Sequence, residues 1–387
     1  MAERSIEAGL TRADVSSGVE IQRSRQAARA PRKPVGLALQ GGGSWGAYTW
    51  GVLDSILASR SIAVTQLSGT SAGAINAAIV ASALAKGTPA DARRALRSFW
   101  LGVAKPAMAD LGRELWGPVE RAWRDTIQGW LVSSSAVSPY SANPLGINPL
   151  RAAIAAHVDI DAIRSRAAPA LFVTVTNVKT GLPRVISNDA MTIDVLLASA
   201  ALPQLFQAVE IDGEPYWDGG YSGNPTLWPM ILSGVAPDLV VVQLVPDTVA
   251  DTPTDAVAIR RRVGEIVFNS SLVAEMQAIA AMRAFASREG RTPVAHDLRL
   301  HRVGPPSREL LAEGSSLERS HAWIHRLHHE GRAAARSFIA RHGGDIGVRE
   351  TLDVTRVFGG QHKPKLPLPA NESAFEVAPP LVAVPAR

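Results

Sequence analysis

Two short apolar runs, each ending in a glycine-rich turn that opens a helical pattern, limit what this chain can fold into. Residues 35–40 (Val-Gly-Leu-Ala-Leu-Gln) read as a buried strand that runs straight into Gly41-Gly42-Gly43-Ser44-Trp45-Gly46, and a helical pattern follows over 47–59. Residues 62–67 read as a second strand, Gly69-Thr70-Ser71-Ala72-Gly73 as a tight turn, and 74–85 as an Ala-rich helix closed by Gly87. Strands joined through crossover helices lie side by side in the same direction, so the expected class is α/β with a mainly parallel central sheet. Further strands are expected at 171–178 and 239–245, with a helix over 190–201 between them. A long helix over 257–288, a strand near 298–303 and a helix over 317–342 form a mostly helical C-terminal extension.

The organisation read from these patterns is a disordered basic arm over 1–34, a main α/β domain over 35–246, an extension over 247–360 packed on it, and a Pro-rich flexible tail over 361–387. A Trp-rich helical insertion interrupts the domain at 100–145, with Trp100, Trp116, Trp123 and Trp130. The formal net charge of +5 invites a nucleic-acid reading. Residues 1–34, however, hold seven basic and four acidic side chains, which leaves the rest of the chain close to neutral and gives no reason to expect a nucleic-acid partner. With no cysteine, the chain has no disulfide, no thiolate metal site and no thiol nucleophile. No apolar stretch approaches the length that spans a bilayer, and the arm lacks the apolar core of a secretory signal. The expected location is cytoplasmic, with any contact to lipid made from the surface. The oligomeric state is open.

Gly69-Thr70-Ser71-Ala72-Gly73 fits G-x-S-x-G between a strand and a helix, the context in which that pattern projects a serine hydroxyl above a sheet. Gly69 and Gly73 flank the serine because strand and helix approach too closely there for side chains. The earlier cluster Gly41-Gly42-Gly43 also sits at a strand-to-helix junction, where free backbone N–H groups stabilise a negative charge, either a phosphate or a tetrahedral oxyanion. Gly41, Gly43 and Gly46 satisfy the dinucleotide pattern G-x-G-x-x-G, but that fold needs an acid about 20 residues on, and no Asp or Glu lies between Ser55 and Ser71. The next strand ends instead in the candidate nucleophile, which is where an oxyanion hole is required.

A serine hydroxyl needs a base. His157 reads as structural, and His325, His328 and His329 read as a solvated helix face, so no metal site is expected. Asp218 stands out in Tyr216-Trp217-Asp218-Gly219-Gly220-Tyr221, because two glycines allow a sharp turn and a close approach, whereas Asp212-Gly213 fits a simple β-turn.

Together, the glycine loop, the G-x-S-x-G elbow and Asp218-Gly219-Gly220 resemble the patatin-like phospholipase family in order, spacing and context. The segment 198–203 followed by Phe206 is similar to the stretch that precedes the family's aspartate. The match spans 35–246, and Gln40 departs from the Asp that often precedes the glycines in plant members. The resemblance implies a three-layer α/β/α fold and a Ser71–Asp218 dyad. It also implies an oxyanion hole from Gly41, Gly42, Gly43 and Ala72, no cofactor, and a lipid or other acyl-ester substrate met at a lipid surface. Asp218 would take the Ser71 proton, pass it to the leaving alkoxide and then activate water on the acyl-enzyme. For that work Asp218 should be desolvated beside Trp217 and Tyr221. Trp116, Trp123 and Trp130 either meet lipid or pack the insertion. Two other readings stay open at this point. One is a Ser-His-Asp esterase using Ser71 with His296 or His301; the other is a non-catalytic lipid-binding protein.

Overall fold

The computed structural model describes residues 31–104, 138–288 and 297–359. Residues 1–30 of the arm, Trp116, Trp123, Trp130, His296 and the Pro-rich tail therefore lie outside the described residues, whereas Lys33 and Pro34, expected in the disordered arm, open the first strand because they pair with Ile62 and Ala63.

The first strand, β1 (Lys33–Leu39), leads through the glycine loop into helix α1 (Gly46–Ala58). The strand β2 (Ile62–Gly69) then leads through the serine turn into α2 (Ala72–Lys86), and α3 (Pro89–Val103) follows. Thr88 opens α3 with a capping box to Asp91, and Pro89 occupies the first turn, where its missing N–H costs nothing. Helices α4 (Leu150–His157) and α5 (Ile160–Arg164) precede β3 (Ala170–Asn177), β4 (Pro183–Ser187), α6 (Ile193–Ser199), β5 (Val209–Ile211) and β6 (Glu214–Asp218). The chain closes with α7 (Trp228–Ser233), β7 (Asp238–Val242), α8 (Ala256–Arg288), β8 (Arg299–Val303), α9 (Arg308–Glu313), α10 (His321–His342) and α11 (Val354–Phe358).

One eight-stranded sheet runs in the order β5-β6-β3-β2-β1-β7-β8, with β4 paired to β3 as well. The pairs from β3 through β2, β1 and β7 to β8 are parallel, as the strand–helix alternation predicts, and the pairs β3–β4, β3–β6 and β5–β6 are antiparallel. Alternate residues of one strand enter different cores, which is the signature of a sheet covered on both faces. Val240 and Val242 join α1, α2, α3 and α10 on one face. Leu239 and Val241 join Met230 of α7, Leu272 and Met276 of α8 and Phe358 of α11 on the other. The architecture is thus α/β/α with a helical C-terminal region, and the expected late strand appears as β8 at the sheet edge.

The register of β3 decides the geometry of the site. Val173 pairs with Ile186 on one side and Gly69 on the other, and Val175 pairs with Arg184 and Asp218. Each residue of a strand has one partner per edge, so β6 occupies the file along β3 that β2 leaves when it turns off at Gly69. Asp218 therefore stands two residues beyond Gly69 along that edge, about 7 Å away at the usual strand rise. The hairpin that returns β6 turns at Asp212-Gly213, both with positive φ (54° and 78°), a two-residue turn suited to the twist of paired strands.

Candidate active site

Ser71 sits between β2 and α2 with φ 55° and ψ −127°, outside the regions where a residue bearing a Cβ rests comfortably. That conformation turns the strand into the helix within one residue. It is compatible only with glycines around it: a Cβ on Gly69 would come within 2.5 Å of Gly73 O, and one on Gly73 within 2.2 Å of Leu39 O. The Ser71 N–H donates to Ser199 Oγ at 2.9 Å, and that hydroxyl donates onward to Thr174 O at 2.8 Å. The strained turn is thereby pinned by the end of α6.

The same segment holds Asp218, whose N–H donates to Ala201 O at 3.0 Å. The Asp218 side chain is completely buried. Its Oδ1 accepts from Gly220 N–H at 2.7 Å, while Oδ2 has no partner of normal hydrogen-bond geometry among the described residues. Burial pushes the carboxyl up to about 7, against the downward pull of the Gly220 N–H and of the adjacent Ser71 hydroxyl. The Ser71 hydroxyl is thus close enough to act on the carboxylate.

The glycine loop lies beside this pair: a Cβ on Gly41 would stand 2.7 Å from the Ser71 Cβ. The Gly41 N–H donates to Asn224 Oδ1 at 2.6 Å. The expectation that Gly41 supplies an oxyanion donor is therefore corrected: its donor is engaged, and Gly41 serves to bring the loop close. The N–H groups of Gly42, Gly43 and Ala72 donate to no acceptor among the described residues. Gly43 has φ 58°, and its N–H belongs to a loop held from outside by Ser44 N–H to Ser316 O (2.7 Å) and Ser44 Oγ to Ser315 O (3.1 Å).

Gln40 accounts for its departure from the plant pattern. Its Oε1 accepts from Leu244 N–H and Val245 N–H at 2.7 and 2.8 Å, and its Nε2 donates to Asn269 Oδ1 of α8 at 2.7 Å. Asn224 adds the other tie to α8, donating from Nδ2 to Phe268 O at 3.2 Å and from its N–H to Ser271 Oγ at 2.9 Å. The C-terminal region therefore braces both the glycine loop and the aspartate loop, a role no motif indicated. Sequence reading missed Gln40, Asn224 and Asn269 as positioning groups. The unusual Asn-Pro after Asp-Gly-Gly was the one local signal for Asn224.

The histidines are elsewhere. His301 Nε2 bonds Asp238 Oδ1 at 3.0 Å and its Nδ1 bonds Thr351 Oγ1 at 2.9 Å. Asp238 pairs with Val35 at the start of the parallel strands, the end opposite the serine turn, so His301 does not reach Ser71. His157 bonds Ala153 O and Ser98 Oγ, joining α3 to α4, in keeping with a structural role. His328 is not a solvated side chain: it stacks on Trp50 with ring centroids 3.7 Å apart, and burial lowers it to about 4. Among the described residues, no group of histidine and carboxylate side chains is arranged to hold a metal ion.

A family model, patatin-like phospholipase, matches residues 37–231, which spans both the serine turn and the aspartate loop. The chain belongs to the patatin-like phospholipase family. Membership supports hydrolysis of lipid acyl esters as the general activity. The crystal structure of VipD from Legionella pneumophila is similar over 81% of this chain and 68% of that one, at 14% identity and a TM-score of 0.39. No curated protein matches the sequence. No helix among the described residues of this patatin-like chain is long and apolar enough to cross a membrane.

Proposed function

We propose that this protein is a serine lipid acyl hydrolase, of phospholipase A or carboxylesterase type, that works through a Ser71–Asp218 dyad and an acyl-enzyme. The observation that carries the reading is the buried Asp218 carboxyl, poised near neutrality with Oδ2 unpartnered beside the hydroxyl of a strained serine. A carboxyl with ordinary affinity for protons is too weak a base for a serine hydroxyl, and one matched to neutral pH can both take and return a proton.

Ser71 Oγ attacks the ester carbonyl as its proton passes to Asp218. Negative charge then develops on the former carbonyl oxygen, against the N–H groups of Gly42, Gly43 and Ala72, which need no reorganisation to receive it. Protonated Asp218 returns the proton to the departing alkoxide. In the second half Asp218 takes a proton from water, which attacks the acyl-serine and releases the carboxylic acid, and Ser71 recovers its proton from Asp218. The catalytic unit comprises 35–246, with 247–360 as its brace, and the substrate is an ester with an apolar acyl chain presented at a lipid surface in the cytoplasm. Each step is met by groups of the chain itself, so calcium is dispensable.

A fluorophosphonate probe tests the reading. Ser71 is expected to be labelled in the native chain, and Ser71→Ala to abolish both labelling and ester hydrolysis. An unlabelled, folded native protein would establish the non-catalytic lipid-binding reading instead.

A further inference from the structure

Asp218 is completely buried, yet the loop it opens lies at the surface: Tyr221 and Ser222 are only half-buried. A side chain from elsewhere in the fold must therefore stand between the carboxylate and water. Phe268 of α8, beyond the family match at 37–231, occupies that place. A Cβ on Gly220 would meet Phe268 Cε1 at 2.6 Å and Asp218 Oδ1 at 3.0 Å, so the ring edge and the carboxylate share the space beside Gly220. The Phe268 ring is itself half-buried, and the Tyr221 ring tilts against it at a centroid distance of 5.3 Å. Tyr221 is fixed in turn by donating its hydroxyl to Gln204 Oε1 at 3.1 Å.

The backbone holds the ring where it is. Phe268 O accepts from Asn224 Nδ2, Asn269 Oδ1 from Gln40 Nε2 and Ser271 Oγ from Asn224 N–H, so a single turn of α8 is tied to both the glycine loop and the aspartate loop. None of these ties uses the Phe268 side chain, which can be replaced without releasing the helix.

We propose that Phe268 is a positioning residue of the active site, whose ring excludes water from the Asp218 carboxylate and so keeps it a base strong enough for Ser71; this rests on the Ser71–Asp218 reading. A carboxylate open to water ionises near ~4 and is a poor base at neutral pH. Burial is what lifts Asp218, because the polar groups that touch it, the Gly220 N–H and the Ser71 hydroxyl, pull the other way. Tyr221 is neutral at working pH, since burial pushes its phenol up. The charged groups of α8 are engaged elsewhere: Glu265 with Arg262 and Arg308, and Glu275 with the N–H groups of Leu227 and Trp228. Apolar cover is therefore the lever, and an aromatic edge supplied by the C-terminal region is the part of it nearest the solvent.

The test follows kcat/KM on a short-chain ester, and the rate of fluorophosphonate labelling of Ser71, from pH 4.5 to 9. In Phe268→Ala, and in Phe268→Gln, which keeps the length of the side chain, the midpoint of the ascending limb should fall from near 7 by about one pH unit or more. At pH 5 each variant would then retain roughly tenfold more of its own plateau rate than the native enzyme does, while the plateau itself falls. Phe268→Leu, which restores apolar cover, should keep the native midpoint. Val267→Ala, on the same turn, and Glu275→Gln, which removes the other carboxyl raised to about 7, should also leave it in place. A midpoint still near 7 in folded Phe268→Ala and Phe268→Gln overturns the proposal, as does a shift as large in Phe268→Leu or one reproduced by Glu275→Gln. A native profile without a midpoint near 7, together with active Asp218→Asn, marks instead the failure of the dyad reading and takes the proposal with it.

Discussion

Replacing Asp218 by asparagine should inactivate the protein and make it more stable, and the gain should depend on pH. The fold raises this carboxyl from 3.8 to about 7, chiefly through burial. Below about pH 4 the group is neutral in both folded and unfolded chains, so the native aspartate and asparagine behave alike. Between about 4 and 7 the unfolded chain ionises while the folded one holds its proton, and native stability falls by about 1.4 kcal/mol per pH unit. Above 7 the folded carboxyl ionises too and the loss levels off, at a total on the order of 4 kcal/mol. Asparagine keeps an oxygen for the Gly220 N–H and places an amide toward Ser71 where Oδ2 stood, so it avoids the charge without opening a cavity. Urea unfolding of both proteins at pH 4.5, 6 and 8 checks this, because subtracting the two curves cancels every other titrating group. The stability difference should grow from about 1 kcal/mol at pH 4.5 to about 4 kcal/mol at pH 8, while hydrolysis falls by ~10²–10⁴. A difference that is the same at all three pH values would refute the argument, since it would mean that Asp218 titrates normally in the folded chain.

The rate of ester hydrolysis in the native enzyme should rise with pH through a single ionisation near 7, measured as kcat/KM on a short-chain ester; an ascending limb near 4 would place the working base elsewhere. Ser199→Ala removes the acceptor of the Ser71 N–H and should cost about 1–3 kcal/mol in thermal unfolding. It should also lower kcat by roughly tenfold or more as the strained turn relaxes. His301→Gln should leave fluorophosphonate labelling of Ser71 within a few-fold of native while lowering stability, because His301 serves Asp238 and Thr351 at the far end of the sheet. Loss of labelling in folded His301→Gln protein would revive a histidine-based triad.

The parallel half of the fold was legible because its signals are local. Strands β1 and β2, the turns after them and helices α1 and α2 each carry their own apolar period and glycine punctuation within a dozen residues. The long helix α8 and strand β8 were legible for the same reason. Strands β4, β5 and β6 were not, since β5 has three residues and β4 and β6 each carry a proline, so that they exist through pairing with β3 and with each other. The Asp212-Gly213 turn was visible, but not that it returns a strand beside the serine. The polar ties were invisible in principle: Ser71 meets Ser199 across 128 positions, Gly41 meets Asn224 across 183 and Gln40 meets Asn269 across 229.

Taken alone, the sequence determined the chemical vocabulary. A serine lies between glycines at a strand-to-helix bend, a second glycine loop precedes it, an aspartate stands before two glycines, and no cysteine offers another nucleophile. These follow from residue identity and short-range sterics, which act within a few bonds. The tertiary structure alone decided which of those groups are free to act. It engaged the Gly41 N–H and left those of Gly42 and Gly43 open, put His301 at the wrong end of the sheet, and slid β6 into the file vacated by β2. It also raised the Asp218 carboxyl toward neutrality, because desolvation is set by how completely the folded chain surrounds a group, which residue identity and short-range sterics do not fix.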